Sequence, residues 1–154
     1  MYHFPSEAGS YALILKLETK TTLTIGRLGC FDFPVGYYIY CGSAHGKGGL
    51  AGRLKHHLTP LRSYHWHIDW LRQIARVMDV GYAVSSSPLE CRWSRNLASL
   101  SGVNCPVPGF GSADCHNGCP AHLFYFLSPE ILLQGKTLLS DQQLLTWVQT
   151  VSRV

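Results

Sequence analysis

The first part of the chain shows the alternation of apolar and polar positions that is typical of β-strands. From Tyr11 to Leu17, large apolar side chains recur at every second position, which predicts a strand with Tyr11, Leu13, Leu15 and Leu17 on one side. Residues 21–28 form a second β-prone run, and we expect a hairpin that ends at Gly29. Residues 34–36 then lead into residues 37–41, whose aromatic and β-branched side chains favour an extended strand.

A helical pattern follows a group of glycines at positions 42, 46, 48 and 49, which break the strand. Apolar residues then recur at four-residue spacing: Leu50, Leu54 and Leu58. They predict a helix over about residues 50–58, which Thr59 and Pro60 end. Arg53 and His57 project side by side on another face, because residues four apart on a helix lie about 6 Å apart along its axis.

The glycine-rich turn differs from a nucleotide-binding P-loop. That motif requires a glycine, four residues, and then Gly-Lys followed by serine or threonine. Here only three residues separate Gly42 from Gly46, and Gly48 follows Lys47, so no hydroxyl is available for magnesium. We therefore exclude a P-loop and interpret the strand, turn and helix as a different phosphate-handling arrangement.

The middle of the chain mixes helical and extended patterns. Three apolar residues repeat at four-residue spacing in a helical segment over residues 64–76: Trp66, Trp70 and Ile74. A strand is predicted near residues 77–84. Ser87 to Glu90 predicts the start of a helix, with proline at the first helical position and a Ser-x-x-Glu capping box. Three residues would give that helix its buried side: Leu89, Trp93 and Leu97.

The C-terminal part is expected to contain a loop, a strand and a helix. Residues 103–119 are rich in proline, glycine and cysteine, which predicts an ordered loop or short strands. Residues 123–127 are apolar and aromatic and predict a strand. Ser140 opens an amphipathic helix over about residues 140–153. Its inward-facing residues would be Leu144, Leu145, Val148 and Val151.

These elements alternate irregularly, which predicts an α+β fold. We expect a small, mainly antiparallel β-sheet flanked by helices, with an added C-terminal strand and helix. The 154 residues suit a single domain over residues 1–154, with its core at about residues 9–126. A chain of this length can bury a hydrophobic core without disulfide bonds.

Composition narrows the class of protein. Charged residues make up only 14% of the chain, and the formal net charge of +4 permits contact with a polyanion without the dense basic field of many nucleic-acid binders. No apolar run reaches the ~20 residues that span a bilayer, and the N-terminus lacks the pattern of an export signal. We therefore expect a cytoplasmic protein without a membrane partner, whose six cysteines are thiols or metal ligands.

Two distant tyrosine motifs and the helix after them resemble the signature of the GIY-YIG nuclease superfamily. Gly9-Ser10-Tyr11 resembles its first element and Tyr40-Cys41-Gly42 its second, with serine and cysteine where the motif is named for isoleucine. Arg53 and His57 resemble the pair that the following helix supplies in that superfamily. The resemblance implies a GIY-YIG-like fold and cleavage of phosphodiester bonds in DNA.

Further runs are similar to the Uri-type branch of predicted endonucleases within this superfamily. They extend the resemblance over roughly residues 9–126. The runs are Phe31-Asp-Phe-Pro-Val-Gly-Tyr-Tyr, His65-Trp-His-Ile-Asp-Trp-Leu, Gly109-Phe-Gly-Ser-Ala-Asp-Cys and His122-Leu-Phe-Tyr-Phe.

The resemblance also implies a set of catalytic residues. Tyr11 and Tyr40 would position and deprotonate a water molecule, and either could be the general base. Arg53 would bind the phosphate, and His57 would assist proton transfer. Glu90, on a helix after the third strand, would hold a catalytic Mg²⁺ or Mn²⁺. The later asparagine that is common in the superfamily would be Asn96 or Asn104.

Elementary chemistry agrees with these roles. Arginine suits a phosphate because its planar fork donates two parallel hydrogen bonds and remains charged. Tyrosine is a poor base at its ordinary pKa of ~10, so a neighbouring cation must lower that pKa, and Arg53 or the metal ion would do so. A carboxylate with water ligands suits a hard cation such as Mg²⁺ or Mn²⁺.

Each residue also has a purely structural interpretation. Tyrosines in strands are commonly packed aromatics with a hydrogen-bonded hydroxyl group. Arg53 and His57 could be solvated residues on an exposed helix face, and Glu90 could simply complete the capping box. The order and spacing of the whole set, and no single member of it, favour catalysis.

A second group of residues predicts a structural zinc site. Cys115, Cys119 and His122 provide three soft ligands within eight residues, and Cys91 or Cys105 could supply the fourth ligand of a tetrahedral site. The alternative is buried cysteines without a metal, because free cysteine is among the most buried residue types. Zinc bound through Cys91 would attach the loop at residues 109–120 to the helix that carries Glu90.

Five polar residues are candidates for contacts with DNA: Lys47, Lys55, His65, His67 and Asp69. His65 and Asp69 share a helix face, so Asp69 could orient the imidazole. Together with Trp66 and Trp70 these residues could line a base-stacking groove. The alternative is a capped and packed helix start.

The sequence therefore predicts a metal-dependent DNA endonuclease of the GIY-YIG type. One alternative is a catalytically inactive module that binds nucleic acid on the same scaffold. Another is an interaction domain stabilised by zinc.

Overall fold

Residues 2–113, 115–142 and 145–150, which a computed structural model describes, fold around a six-stranded antiparallel β-sheet. The strands are β1 (Gly9–Leu17), β2 (Thr21–Ile25), β3 (Gly29–Phe33), β4 (Gly36–Ala44), β5 (Arg76–Val84), β6 (Val103–Asn104), β7 (Leu123–Phe126) and β8 (Thr146–Gln149). The helices are α1 (Gly49–Leu58), α2 (His67–Leu71), α3 (Glu90–Ala98) and α4 (Pro129–Gln142). None of these helices is long and apolar enough to cross a membrane. The predicted α+β class is confirmed.

The main sheet has the strand order β6-β7-β4-β1-β5-β8, and β2 pairs with β3 in a separate hairpin. Both faces of the central strand β1 are covered, so its side chains divide between two cores. Tyr11, Leu13 and Leu15 pack on one face with Leu50 and Leu54 of α1. The residues between them pack on the other face against α3 and α4. The predicted inward face of β1 is therefore confirmed, because successive strand residues point to opposite faces.

Several other predicted elements are confirmed. The strand at residues 37–41 lies within β4, and the strand at residues 123–127 is β7. The helix at residues 50–58 is α1, and Thr59 is its C-cap in an extended conformation. Leu89, Trp93 and Leu97 are buried, as expected.

The hairpin in the first part of the chain ends later than predicted. Gly29 begins its second strand, because Ile25 pairs with Gly29 and Thr21 pairs with Phe33. Residues 26–28 form the turn between the two strands. Phe33 is buried while Asp32 is exposed, which is the alternation of a half-buried strand.

The segment at residues 64–76 contains a shorter helix than its tryptophan spacing predicts. The helix α2 begins at His67 because the Asp69 carboxylate accepts hydrogen bonds from the backbone N–H groups of His65 and Trp66. Both residues are thereby held outside the helix. At the other end, Arg76 already belongs to strand β5.

The predicted helix over residues 140–153 is wrong at its start and in its second half, because the helix α4 begins at Pro129 and Ser140 lies in its last turn. The helix α4 ends at Gln142, and residues 146–149 form β8, in which Val148 pairs with Val80 of β5. The edge of β5 offers unpaired backbone groups, and Gly81 leaves room for the Trp147 ring, which a Cβ atom at Gly81 would approach to 2.7 Å. Leu144 and Val151, two of the residues expected to face inward, lie outside the described residues.

Candidate functional site

A single cleft of about 440 Å³ contains most of the chemically reactive residues that the sequence singled out. Its walls are the C-terminal half of β4, the helix α1, the start of α3 and the loop before β7. Six lining residues belong to the predicted catalytic and zinc-binding sets: Tyr40, Arg53, Glu90, Cys91, Cys115 and His122. The fold thus brings the two predicted sites together in one place.

Tyr11 lies directly behind this cleft and is fully buried. Its hydroxyl group is 2.8 Å from Nε2 of His57, and it accepts a hydrogen bond of 3.4 Å from the Arg53 guanidinium. Strand register explains the position of its ring, since Tyr11 pairs with Gly42 across β1 and β4. A Cβ atom at position 42 would lie 2.5 Å from the Tyr11 phenol, so only glycine leaves space for it.

Tyr40 is also largely buried but reaches the wall of the cleft. Its ring centroid is 6.4 Å from that of Tyr11 and 6.4 Å from that of His57. Gly111, whose φ of +73° favours glycine, packs against this ring. The two tyrosines and the histidine therefore form one aromatic group beneath the cleft.

The acid–base properties of this group differ from those expected from the sequence. Burial, opposed by Arg53, raises the pKa of Tyr11 to about 12. Burial and the neighbouring Tyr11 raise the pKa of Tyr40 well above its ordinary value. The expected lowering by Arg53 exists, but desolvation outweighs it. Burial, together with Arg72 and Arg53, holds the pKa of His57 well below its ordinary value, so His57 is neutral near pH 7.

Arg53 is held in position by stacking. The centre of its guanidinium lies 4.1 Å from the centroid of the Trp66 ring, which also lines the cleft. A stacked guanidinium keeps its in-plane N–H groups available for other acceptors. The geometry therefore leaves Arg53 able to bind an anion in the cleft.

Asp69 supports this wall of the cleft and does not face a ligand, contrary to the prediction that it contacts DNA. Its side chain is fully buried. Besides the backbone of His65 and Trp66, its carboxylate is bonded to Nε2 of His56 at 3.0 Å. The expected partner was the imidazole of His65, which instead lies 3.2 Å from the Ser63 hydroxyl.

Glu90 begins the helix α3 and faces the cleft. The predicted capping box is wrong, because Leu89 is the N-cap and Glu90 is therefore the first helical residue. The Ser43 hydroxyl donates a hydrogen bond to the Glu90 carboxylate, and Ser43 lies 2.6 Å from the Ser10 hydroxyl. Ser10 also accepts a hydrogen bond from the backbone N–H of Leu89. Two serines on neighbouring strands thus position the carboxylate.

The four predicted zinc ligands form a compact cluster. One ligand atom from each of Cys91, Cys115, Cys119 and His122 lies within 4.8 Å of the others. The sulfur of Cys91 is 3.4 Å from that of Cys115 and 3.7 Å from Nε2 of His122. Ligands of a tetrahedral zinc ion lie roughly 3.5–3.8 Å apart when the Zn–S distance is about 2.3 Å. The cluster therefore fits a small metal ion, and Cys91, not Cys105, is its fourth member.

Hydrogen bonds to sulfur support the same interpretation. Asn117 donates its backbone N–H to Cys115 and its side-chain amide to Cys91, both at 3.4 Å. Desolvation alone would raise the pKa of Cys115, but hydrogen bonds from the backbone of Cys119 and Asn117 lower it below its ordinary value, whereas burial raises the pKa of Cys91 and of Cys119. Donors of this kind stabilise the thiolate form that binds a metal ion.

The other predicted residues divide into two groups. His65 and His67 line the cleft, and Nδ1 of His67 accepts a hydrogen bond of 2.9 Å from the backbone of Gly111. Lys47 and Lys55 are exposed on or near α1 and are not part of the cleft wall. Neither asparagine that the resemblance suggested, Asn96 or Asn104, lines the cleft.

Sequence reasoning missed four residues of this site: Ser10, Ser43, His116 and Asn117. Asn117 carried a usable signal, because it lies between two predicted metal ligands and occupies the position from which a backbone amide reaches the first sulfur. The two serines gave no local signal.

Comparison with known proteins yields a family but no described relative. No curated protein and no solved structure matches the chain. A family model described as "Domain of unknown function DUF123" matches residues 10–142, a span that includes both tyrosines, Arg53, Glu90 and all four members of the Cys/His cluster. Because that match covers most of the chain, this protein belongs to the DUF123 family.

Proposed function

We propose that this protein is a cytoplasmic, divalent-metal-dependent endonuclease that hydrolyses phosphodiester bonds in DNA by GIY-YIG chemistry. One geometric observation carries the proposal. Tyr40, Arg53 and Glu90 line a single cleft, and Tyr11 contacts Arg53 and His57 directly behind it. These residues come from four different elements, β1, β4, α1 and α3. Closeness along the chain therefore does not account for their meeting at one cleft. The six free cysteines suit a reducing compartment.

Arg53 and Glu90 would divide the binding of the scissile phosphate. The guanidinium of Arg53 would donate its remaining N–H groups to the phosphate oxygens and neutralise the charge that develops there. Glu90, fixed by Ser43, would hold Mg²⁺ or Mn²⁺ on the same phosphate. Such an ion, when bound, neutralises charge on the phosphate and lowers the pKa of a bound water.

Tyr11 and His57 are suited to move the proton of the attacking water. His57 is neutral, and its Nε2 is within hydrogen-bond distance of the Tyr11 hydroxyl. It can therefore accept a hydrogen bond from the phenol and orient it, while the phenolate that forms as the pH rises acts as the base. Tyr40, which lines the cleft, would orient the water at its wall. This division assigns the general base to Tyr11, a choice that the sequence left open.

We also propose that the Cys/His cluster binds a structural zinc ion. Three thiolates and one imidazole suit zinc better than Mg²⁺ or Mn²⁺, which prefer oxygen ligands. All four protein ligands are present, so no position is left open for a substrate. The zinc would attach the loop at residues 105–122 to α3 beside Glu90.

A cleavage screen tests the proposed activity. Purified protein is incubated with end-labelled single-stranded, duplex, nicked and branched DNA, in Mg²⁺, in Mn²⁺ and in EDTA. The proposal expects cleavage of at least one substrate only when a divalent ion is present. Salt-sensitive retention of the same DNA without cleavage in any metal would instead establish a binding module.

The rate of cleavage should increase with pH. Because the pKa of Tyr11 lies at about 12, its phenolate fraction rises with pH across the neutral range. From pH 6 upward, the logarithm of the single-turnover rate should therefore rise by about one per pH unit. The rise should end where the metal-bound water reaches its own pKa. His57 should add no acid limb near pH 6.5, because its pKa is depressed. A rate that stays flat or falls with increasing pH would exclude Tyr11 as the base.

Zinc content should depend on the four residues of the Cys/His cluster and not on cysteines outside it. Protein purified without chelators should contain about one zinc ion per chain. Cys119→Ser should lose that zinc and melt at a lower temperature, whereas Cys30→Ser, at an exposed cysteine on β3, should keep both. Elemental analysis and thermal melts measure the two effects. Equal zinc content in the two variants would contradict the site.

A further inference from the structure

The turn between Cys115 and Cys119 contributes to the cleft as well as to the metal cluster. His116 and Asn117 lie between these two ligands, and both line the cleft with Arg53 and Glu90. We propose that the metal-bound turn is a substrate-binding element, in which His116 donates a hydrogen bond to a DNA phosphate next to the scissile one. This inference rests on the proposed function, since it names a second contact for the same nucleic acid.

The metal cluster determines where this turn can place its side chains. Asn117 donates a hydrogen bond from its backbone N–H to the sulfur of Cys115 and another from its side-chain amide to the sulfur of Cys91. Gly118, with a φ of +73°, then returns the chain to Cys119. His116 is exposed and forms part of the cleft wall. Four ligands held by one ion would therefore fix the position of His116.

The loop that carries the turn is attached on two sides of the cleft. The backbone carbonyl of His122 accepts a hydrogen bond from the N–H of Cys41 in β4, and its N–H donates to the carbonyl of Phe110. The backbone N–H of Gly111 donates to Nδ1 of His67. On the α3 side, the turn contacts Cys91. Metal binding at Cys91 would thus hold the turn against the helix that presents Glu90.

A phosphate is the chemical group that this wall fits. An imidazole has an N–H donor in either protonation state, so His116 can donate to a phosphate oxygen. Backbone phosphates accept a large share of the hydrogen bonds that proteins make to DNA. Arg53 and His65 line the same cleft and can both donate, which favours an extended anion over a neutral ligand.

Binding and turnover measured on His116→Ala test this inference. Affinity is measured by fluorescence anisotropy on labelled DNA, with Ca²⁺ in place of Mg²⁺, and turnover is measured with Mg²⁺. We expect Kd and KM to rise about fivefold to tenfold with kcat unchanged. His3→Ala, at an exposed histidine outside the cleft, should leave all three constants unchanged. Unchanged Kd in His116→Ala, or a lower kcat without a change in Kd, overturns the proposal.

The role of the metal is tested by a double-mutant cycle. Cobalt(II) replaces zinc, and its thiolate charge-transfer absorption reports the intact cluster. His116→Ala should keep this absorption, and Cys119→Ser should lose it and weaken DNA binding by a similar factor. The double variant should bind no more weakly than Cys119→Ser alone, because His116 is already misplaced. If the two substitutions weaken DNA binding by independent factors that multiply in the double variant, the metal does not position His116. If Cys119→Ser fails to fold, the Kd of His116→Ala alone decides whether His116 contacts DNA.

The outcomes also separate this inference from the nuclease proposal. If DNA cleavage requires Arg53 but His116→Ala changes neither Kd nor KM, only the inference about His116 is overturned. If DNA binding requires His116 and the metal but the protein cuts none of the DNA substrates, only the nuclease proposal is overturned.

Discussion

Replacing Arg53 by alanine should lower the rate of DNA cleavage about 10³-fold and leave the protein folded. Arg53 is the strongest donor in the cleft, and its stacking on Trp66 aims the guanidinium before substrate binds. Its loss removes the phosphate contact and also the cation beside the Tyr11 hydroxyl. Since Arg53 lowers the pKa of Tyr11 against the effect of burial, the variant should also hold a smaller fraction of Tyr11 as phenolate at any given pH. Single-turnover rates with saturating Mg²⁺ measure the loss.

Two further variants separate charge from geometry. Arg53→Lys keeps the positive charge but loses the planar fork, so we expect an intermediate rate. Arg76→Ala serves as the matched control, because Arg76 is 55% exposed, pairs only weakly with Glu18 and lies outside the cleft. Cleavage by Arg53→Ala within a few-fold of the wild-type rate, with an unchanged thermal melt, would exclude Arg53 from catalysis.

Local spacing predicted those parts of the site that depend on a single element. Arg53 and His57 share a helix face because they are four residues apart, and α1 formed where the leucines indicated. Cys115, Cys119 and His122 converge because the chain between them is short and contains Gly118. Such relations follow from the geometry of one helix or one turn, so the sequence carries them directly.

Relations between distant segments could not be predicted in the same way. Ser43 reaches Glu90 across 47 residues, and His56 reaches Asp69 across 13 residues with no local pattern to indicate either contact. The choice of Cys91 over Cys105 as the fourth ligand likewise depends on how α3 packs against the loop. Tertiary packing decided these contacts, and a serine or histidine in isolation gives no sign of its partner.

Burial produced the largest difference between expectation and structure in the chemistry. A neighbouring guanidinium was expected to make the phenol of Tyr11 more acidic. The desolvation of a fully buried phenol is the larger effect, and it raises the pKa. The sequence places Arg53 near Tyr11 only through the resemblance, and it gives no measure of how much water the fold excludes.

The C-terminal segment shows a different limit. Leu145 and Val148 satisfy a helical spacing, but a segment as short as Thr146–Gln149 can equally form a strand. The open edge of β5 decides for the strand, and the site at Gly81 accommodates Trp147. An amphipathic period therefore identified an apolar segment correctly but not its secondary structure.

Glu90→Gln should lower metal-dependent cleavage by at least about a hundredfold. Glutamine has nearly the same shape and retains an acceptor for the Ser43 hydroxyl, so the start of α3 should keep its structure. What is removed is the negative charge that a hard divalent cation requires from its protein ligand. The apparent Mg²⁺ affinity, measured from the cleavage rate at increasing Mg²⁺ concentration, should therefore weaken together with the rate.

Glu130→Gln is the matched control for this change. Glu130 also lies in the first turn of a helix, α4, and so has the same relation to a helix dipole, but it is outside the cleft. A general effect of charge at a helix N-terminus would alter stability in both variants, whereas a metal ligand is lost in only one. Elemental analysis should find zinc unchanged in Glu90→Gln, because the neighbouring Cys91 still completes its cluster. If Glu90→Gln cuts DNA at the wild-type rate with the wild-type need for Mg²⁺, the catalytic cation is bound elsewhere, and the cleft has lost its only proposed hard-metal ligand.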